Sequence, residues 1–253
     1  MIYGMYLSAT GIMTNSYRQD VISNNLANSE TVGFKRDLAR FQERKTALNE
    51  RGAAGDWSDP VMEHLGGGVL AMPTLVDTEQ GDLEPTGNPM DVAIQGNGYF
   101  AVDSKTGKHL TRDGRFMLNR DGELILSTEQ GQHVLDDKGK PIKIEPGGMI
   151  AIGSDGEVTQ DGKGVAKIGL FDVADPAKFT KQGSNMLSYP ADGKLLPGSG
   201  TLRSEFQERA NVDPALELAE LMDTQRELEA NANMLKYQDT MLQRLVNDVG
   251  KIS

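Results

Sequence analysis

Three histidines, His64, His109 and His133, are the first candidates for acid–base or metal chemistry in this chain. They lie far apart, and none has a second ligand at the short spacing that a metal site requires. Each reads as an ordinary surface side chain. Gly96-Asn97-Gly98 has the composition of a phosphate loop, but such a loop must open a helix. Tyr99-Phe100-Ala101-Val102 comes next and reads as a strand, so a hairpin turn is expected there. None of the Asp-Gly pairs extends into the ligand spacing of a calcium loop. Gly198-Ser199-Gly200 lacks the strand-to-helix setting of a nucleophile elbow. No catalytic, metal-binding or cofactor-binding set can be nominated, and the expectation is a protein that is not an enzyme.

Composition points the same way. The chain has 253 residues, 38% of them hydrophobic and only 6% aromatic, with 29 glycines and a formal net charge of −11. That acidity argues against a nucleic-acid partner, which wants a basic face. Cysteine is absent, which removes disulfides, thiolate metal sites and thiol nucleophiles together. The first seventeen residues carry no charge, yet Ser8, Thr10, Gly11, Thr14 and Asn15 interrupt every apolar run and Arg18 comes late. A cleaved secretory signal is not expected, nor a segment apolar enough for direct membrane insertion.

The elements that would position any function fall into three regions. Residues 1–48 form a helical segment. Tyr6, Met13, Tyr17 and Val21 make one apolar stripe at helical spacing, and Met5, Ala9 and Ile12 a second beside it. The asparagines at 24, 25 and 28 should end or bend this helix, and residues 34–48 read as a second, more amphipathic helical piece. Residues 49–68 are rich in Gly, Asp and Pro and read as a linker. Residues 69–206 hold short β-branched runs separated by Asp113-Gly114, Asp121-Gly122, Asp155-Gly156 and Asp161-Gly162. Such tight-turn dipeptides indicate an antiparallel, hairpin-built β domain.

Residues 207–253 should form a closing helix, with Asp213 as its cap and Pro214 in its first turn. Leu221, Leu228, Leu235, Leu242 and Val249 recur every seven residues, and Leu218, Gln225, Ala232, Asp239 and Val246 fill companion positions. That is a heptad seam. A DNA-binding zipper would need a basic region before it, whereas Asn211 to Glu217 is acidic and contains proline. A helical hairpin between the two ends of the chain, and contact with other subunits, both remain open. The expected fold class is α+β, with discontinuous N- and C-terminal long helices packed as a coiled coil and an inserted antiparallel β-rich domain projecting to the side.

Several blocks carry a resemblance. "NNLANSETVGFKRD" (24–37), "GDLEPTGNPMDVAIQGNGYFAV" (81–102), "LTRDGRFMLNRDGEL" (110–124) and the closing "ANVDPALELAELMDTQRELEANANMLKYQDTMLQRL" (210–245) resemble, in order, the signatures of bacterial flagellar rod and hook proteins. The resemblance implies a structural subunit of the flagellar basal-body rod, of the proximal F type or the distal G type. Such a protein would assemble helically through its terminal helices into a hollow drive shaft, with the β domain outside. It implies copies of the chain and other rod and hook proteins as partners. It also implies export through the flagellar type III apparatus without a cleaved signal, to a periplasmic location in the basal body. The implied assembly interface is Tyr6, Met13, Tyr17, Val21, Asn24, Asn25, Leu26, Asn28, Gly33 and Phe34 at one end. At the other it is Leu218, Leu221, Leu228, Ala232, Leu235, Leu242 and Val246. By the same resemblance Asn24, Asn25 and Asn28 would satisfy backbone groups at the helix end, and Phe34 would anchor the segment beyond it. The alternative is an oligomeric extracellular adhesin whose β domain binds a ligand.

Overall fold

The computed structural model describes residues 2–45, 67–104, 107–128, 130–145, 147–183, 185–190 and 195–249. It divides into two compact units. The first comprises Met1–Leu26, Asp37–Leu75 and Pro214–Ser253, and the second Ala27–Arg36 and Val76–Asp213. Most of the expected linker, with His64, lies outside the described residues.

The first unit holds helix α1 (Ile2–Ala27), helix α2 (Pro214–Val249) and a two-stranded sheet of β1 (Asp37–Glu43) and β2 (Val69–Val76). At 1.5 Å per residue the helices are about 39 and 54 Å long. β1 corrects the expectation of a second N-terminal helix. Leu38, Ala39 and Arg40 tolerate helix locally, but the Asn25 side chain holds the Asp37 backbone extended. Asn25 Oδ1 accepts from the Asp37 N–H at 2.9 Å, and Asn25 Nδ2 donates to the Asp37 carbonyl at 2.9 Å. An amide side chain here takes the place of a neighbouring strand. Beyond that point β2 pairs with β1, and non-local pairing outweighs a weak local propensity.

The second unit is antiparallel throughout. Its strands are β3 (Leu83–Pro85), β4 (Val92–Gln95), β5 (Tyr99–Ser104), β6 (Gly107–Thr111), β7 (Phe116–Leu118), β8 (Leu124–Leu126) and β9 (His133–Val134). Then come β10 (Ile150–Ile152), β11 (Glu157–Gln160), β12 (Lys163–Lys167), β13 (Leu170–Val173), β14 (Thr180–Lys181), β15 (Met186–Ser188), β16 (Leu195–Pro197), β17 (Thr201–Ser204) and β18 (Phe206–Glu208). The main sheet runs β14-β15-β6-β5-β9-β8-β7, with β13 also joined to β5 and β16. β10, β11 and β12 form a meander, and the pairs β17–β4 and β18–β3 bring the chain back beside its entry. β5 is central because both of its faces are apolar. Phe100 and Val102 point into one core cluster, and Tyr99 and Ala101 into another, as the two-residue period requires.

Turn chemistry matches the dipeptides in part. Asp161 (φ 50°) and Gly162 (φ 78°) turn β11 into β12 with the two positive φ angles of a primed hairpin turn. Gly96-Asn97-Gly98, expected as a hairpin turn, instead passes the chain between partners, because β4 pairs with β17 while β5 pairs with β6, β9 and β13. Pro141-Ile142-Lys143-Ile144, one of the β-branched runs, makes only isolated bridges, at Pro141 and Lys143. His109 is buried rather than on the surface. Burial lowers its pKa, opposed by the nearby Asp103 carboxylate.

An ionic centre joins three parts of this unit. Glu208 on β18 accepts from Lys35 Nζ at 2.6 Å and from Arg112 Nη1 at 3.0 Å, and it also takes the Gly81 N–H at 3.0 Å. All three charged side chains are almost wholly out of water. Burial pushes the Lys35 pKa below the ordinary lysine value, with Glu208 opposing the shift. Beside it, Arg112 lies 4.9 Å from the centre of the Tyr99 ring.

This packing has two measurable consequences. Glu208→Ala leaves two buried cations without their counter-charge, so urea unfolding of the full chain should show a loss of about 3–5 kcal/mol. Burial raises the Tyr99 pKa from 10.0 to about 12, against the nearby Arg112 charge. The phenol's contribution is therefore complete below pH 10.0 and is lost as pH rises through about 12. Over that window the wild-type chain should lose about 2 kcal/mol more stability than Tyr99→Phe, measured by urea midpoints.

Candidate assembly interface

In the first unit, α1 and α2 run antiparallel, and their contacts recur at seven-residue steps. A Cβ built on Gly4 would lie 2.8 Å from Gln238 Nε2, and one on Gly11 would lie 3.0 Å from Asn231 Nδ2. Arg18 reaches Glu227 at 3.9 Å, and Asn25 Nδ2 donates to Glu217 Oε2 at 3.5 Å. As one index rises the other falls, which defines the register. Glu217 and Thr224, seven apart on α2, are buried, and Asn231 and Gln238 continue the row half-buried. Large carboxamides fit there because the opposite positions are glycines. Glycine inside a helix costs about 1 kcal/mol relative to alanine, so Gly4 and Gly11 are used for closeness, not propensity.

This register corrects the expected heptad. Leu221, Leu228, Leu235 and Leu242 are half-buried and flank the Glu217–Thr224–Asn231–Gln238 row. Their expected companions Leu218, Ala232 and Val246 are exposed instead. The buried companion row is polar, so apolar periodicity could reveal only one of the two lines. The signal that could have found the other is the pairing of Gly4 and Gly11 with Asn231 and Gln238 at equal spacing.

The N-terminal stripe is divided. Tyr17 Oη donates to the Met72 carbonyl at 3.0 Å, and its ring meets Phe41 edge-on at 6.3 Å. Tyr6 Oη donates to the Gly67 carbonyl at 3.0 Å. The β1–β2 sheet thus meets this stripe at Tyr17, and Gly67, just before β2, meets it at Tyr6, while Met13 between them stands in solvent and Val21 is buried. α1 ends at Ala27, so Asn24 and Asn25 lie within its last turn and Asn28 just beyond. Asn25 and Asn24 turn toward Asp37, with Asn24 Nδ2 3.3 Å from Oδ2, and Asn28 Oδ1 accepts from the Thr31 hydroxyl at 3.2 Å. Of the trio implied to close the helix end, Asn25 serves the following strand instead. Leu26 is half-buried.

Gly33 and Phe34 belong to the second unit. Gly33 has φ 70°, and a Cβ there would lie 2.4 Å from the Asp113 backbone nitrogen, so only glycine fits. Phe34 is fully buried with Ala210 and Val212, and Lys181 Nζ sits 3.8 Å from its ring centre. Phe34 anchors its own chain.

Among what the first unit leaves outside are many large apolar side chains. Leu7, Met13, Leu216, Leu218, Met222, Met234, Tyr237, Met241, Leu245 and Val246 are all exposed on the two helices. Met234, Tyr237, Met241 and Leu245 succeed each other at helical spacing and form one stripe. A helix pair that buries amides and exposes methionine, tyrosine and leucine presents a surface suited to other chains. Among the described residues, no cluster of His, Asp and Glu could hold a metal ion, and no helix is long and apolar enough to cross a membrane. Asn25→Ala would strip both hydrogen bonds from the buried Asp37 backbone, and thermal or urea unfolding should register a loss of about 2–3 kcal/mol.

Comparison with known proteins places this architecture. Residues 5–35 match "Flagella basal body rod protein", residues 93–160 match "Flagellar hook protein FlgE/F/G D1 domain", and residues 203–248 match "Flagellar basal body rod FlgEFG protein C-terminal". The chain is 34% identical to the flagellar basal-body rod protein FlgF of Caulobacter vibrioides, over 98% of each chain. It is 31% identical to FlgF of Mesorhizobium japonicum, again over 98% of each. It is 33% identical to the rod protein FlgG of Bacillus subtilis, over 98% of this chain and 99% of that one. With the terminal helices and the β-rich middle all matched in order and nearly end to end, the chain belongs to the flagellar basal-body rod protein family.

Proposed function

We propose that this chain is a structural, non-enzymatic subunit of the bacterial flagellar basal-body rod, assembling helically through its two terminal helices into a hollow drive shaft. The observation that carries this reading is the inverted distribution of side chains on α1 and α2. The central row of their contact is glycine, amide and carboxylate, with the Leu221–Leu242 line half-buried beside it, while the methionine–tyrosine–leucine stripe faces outward. An isolated helix pair with so polar a seam is weakly held, and covering the outer stripe with neighbouring subunits supplies the missing apolar burial. The seven-residue recurrence of contacts supports an antiparallel coiled coil.

In this reading the shaft segments lie within residues 1–48 and 207–253, the linker at 49–68 and the outer domain within 69–206. The exceptions are β2, which as far as Leu75 belongs to the unit of the terminal helices, and Ala27–Arg36 and residues 207–213, which belong to the unit of the outer domain. The neighbours are copies of this chain and other rod or hook proteins. The rod lies in the periplasm, and the subunit reaches it through the flagellar type III apparatus without a cleaved signal. The names of its relatives support a rod position, and their F and G types fit the single β domain.

In-frame deletion followed by electron microscopy of purified basal bodies tests the role: a rod truncated at one position is expected, and complete rotating flagella would sink it. A finer test replaces exposed stripe residues. Tyr237→Asp with Met241→Asp should abolish swimming while the purified chain keeps its unfolding midpoint, because neither side chain supports the fold. Unimpaired swimming would remove these residues from the interface.

A further inference from the structure

Sulfur in this chain is all thioether, since it has 12 methionines and no cysteine. Met13 on α1 is 72% exposed, and Met234 and Met241 on α2 are 53% and 61% exposed. Met234 and Met241 are seven residues apart with exposed Tyr237 between them, on one helix face. The register that sets Gly11 against Asn231 places Met13 within about two helical turns of the level of Met234, with Met241 further along α2. A further exposed thioether, Met149, belongs to the second unit rather than to the terminal helices, at 80% exposure.

We propose that Met13, Met234 and Met241 are sulfoxidation sites of the unassembled subunit, taking hydrogen peroxide as oxidant, and that their oxidation blocks incorporation into the rod. This rests on the assembly reading above. A sulfur lone pair attacks one peroxide oxygen, the O–O bond breaks as the S–O bond forms, and the transferred oxygen's proton leaves with the departing hydroxide as water. The thioether is oxidised by two electrons and the peroxide is reduced to water. The product carries a strong acceptor oxygen and no donor. On a face that must be covered by other helices, that oxygen meets apolar side chains and backbone N–H groups already bonded within their own helices. It can be neither hydrated nor paired, so the oxidised face resists burial. Methionine suits such a face before oxidation, being soft and adaptable, and sulfoxide reductases restore it afterwards.

The test has two parts. Peroxide footprinting with mass spectrometry compares the purified full chain with basal bodies. In the free chain Met13, Met234, Met241 and Met149 should all gain oxygen, whereas in basal bodies Met149 should react and Met13, Met234 and Met241 should be protected. Equal reaction of all four in basal bodies that contain the chain overturns the inference and leaves the rod assignment standing. Absence of the chain from basal bodies overturns the rod assignment itself.

The second part counts basal bodies in cells lacking sulfoxide reductases, with and without a sublethal peroxide pulse during subunit synthesis. Wild-type counts should fall about tenfold. Met13→Leu, Met234→Leu and Met241→Leu combined should remove that dependence, whatever the variant's own starting level. An unchanged peroxide ratio in the leucine variant assigns the sensitivity elsewhere and overturns the proposal.

Discussion

Glu208 is the point on which the second unit closes. Its carboxylate holds Lys35 from the segment after α1, Arg112 from the segment after β6, and the Gly81 amide from the entry to the β region. These segments are far apart in sequence, so bringing them together carries a loop-closure cost that local structure cannot offset. A buried ion pair is weak evidence for net stability, since desolvation consumes much of the Coulomb gain. What such a pair does is select one arrangement, because any shift leaves a charge buried and unpaired. The strand leading to α2 and the segment leaving α1 are thereby held in one unit, with Phe34 beneath Lys181 and against Ala210 and Val212.

The first unit works by the opposite means. Its internal contact is neutral and polar in the main, with glycines receiving amides at one end and Asn25 meeting Glu217 at the other. Buried amides in a helix seam sacrifice stability for register. The register matters because α2 carries apolar residues nearly all round, and a purely apolar seam would allow several rotations of one helix against the other. Once the amides are paired with the glycines, Met234, Tyr237, Met241 and Leu245 are committed to the outside. In the proposed rod assembly that outcome is needed, since a face satisfied within its own chain has nothing left for its neighbours.

The parts legible without coordinates are those whose signal is local and periodic. Two long helices at the termini, the start of α2 at Pro214, the antiparallel β region, and the turns at Gly122, Gly156 and Gly162 all stem from spacing and turn chemistry. The candidate interface is half legible. The Leu221–Leu242 line shows in the sequence as a stripe, and in the fold it lies half-buried beside the seam. Its companion line reads as Leu218, Ala232 and Val246 because apolar periodicity sees no amides. β1 reads as helix, because nothing local announces that the Asn25 side chain will hold Asp37 extended.

By itself, then, the sequence determined the kinds of element, their order and the family, because these depend on residue periodicity and on ordered blocks that survive without knowledge of contacts. The tertiary structure alone decided which face of α2 turns inward, which strands border β5, and where Lys35 and Glu208 meet. Each of those is a pairing across a long separation in sequence. Its energy comes from geometry that only the folded chain brings into being: a glycine opposite a carboxamide, or a carboxylate between two cations.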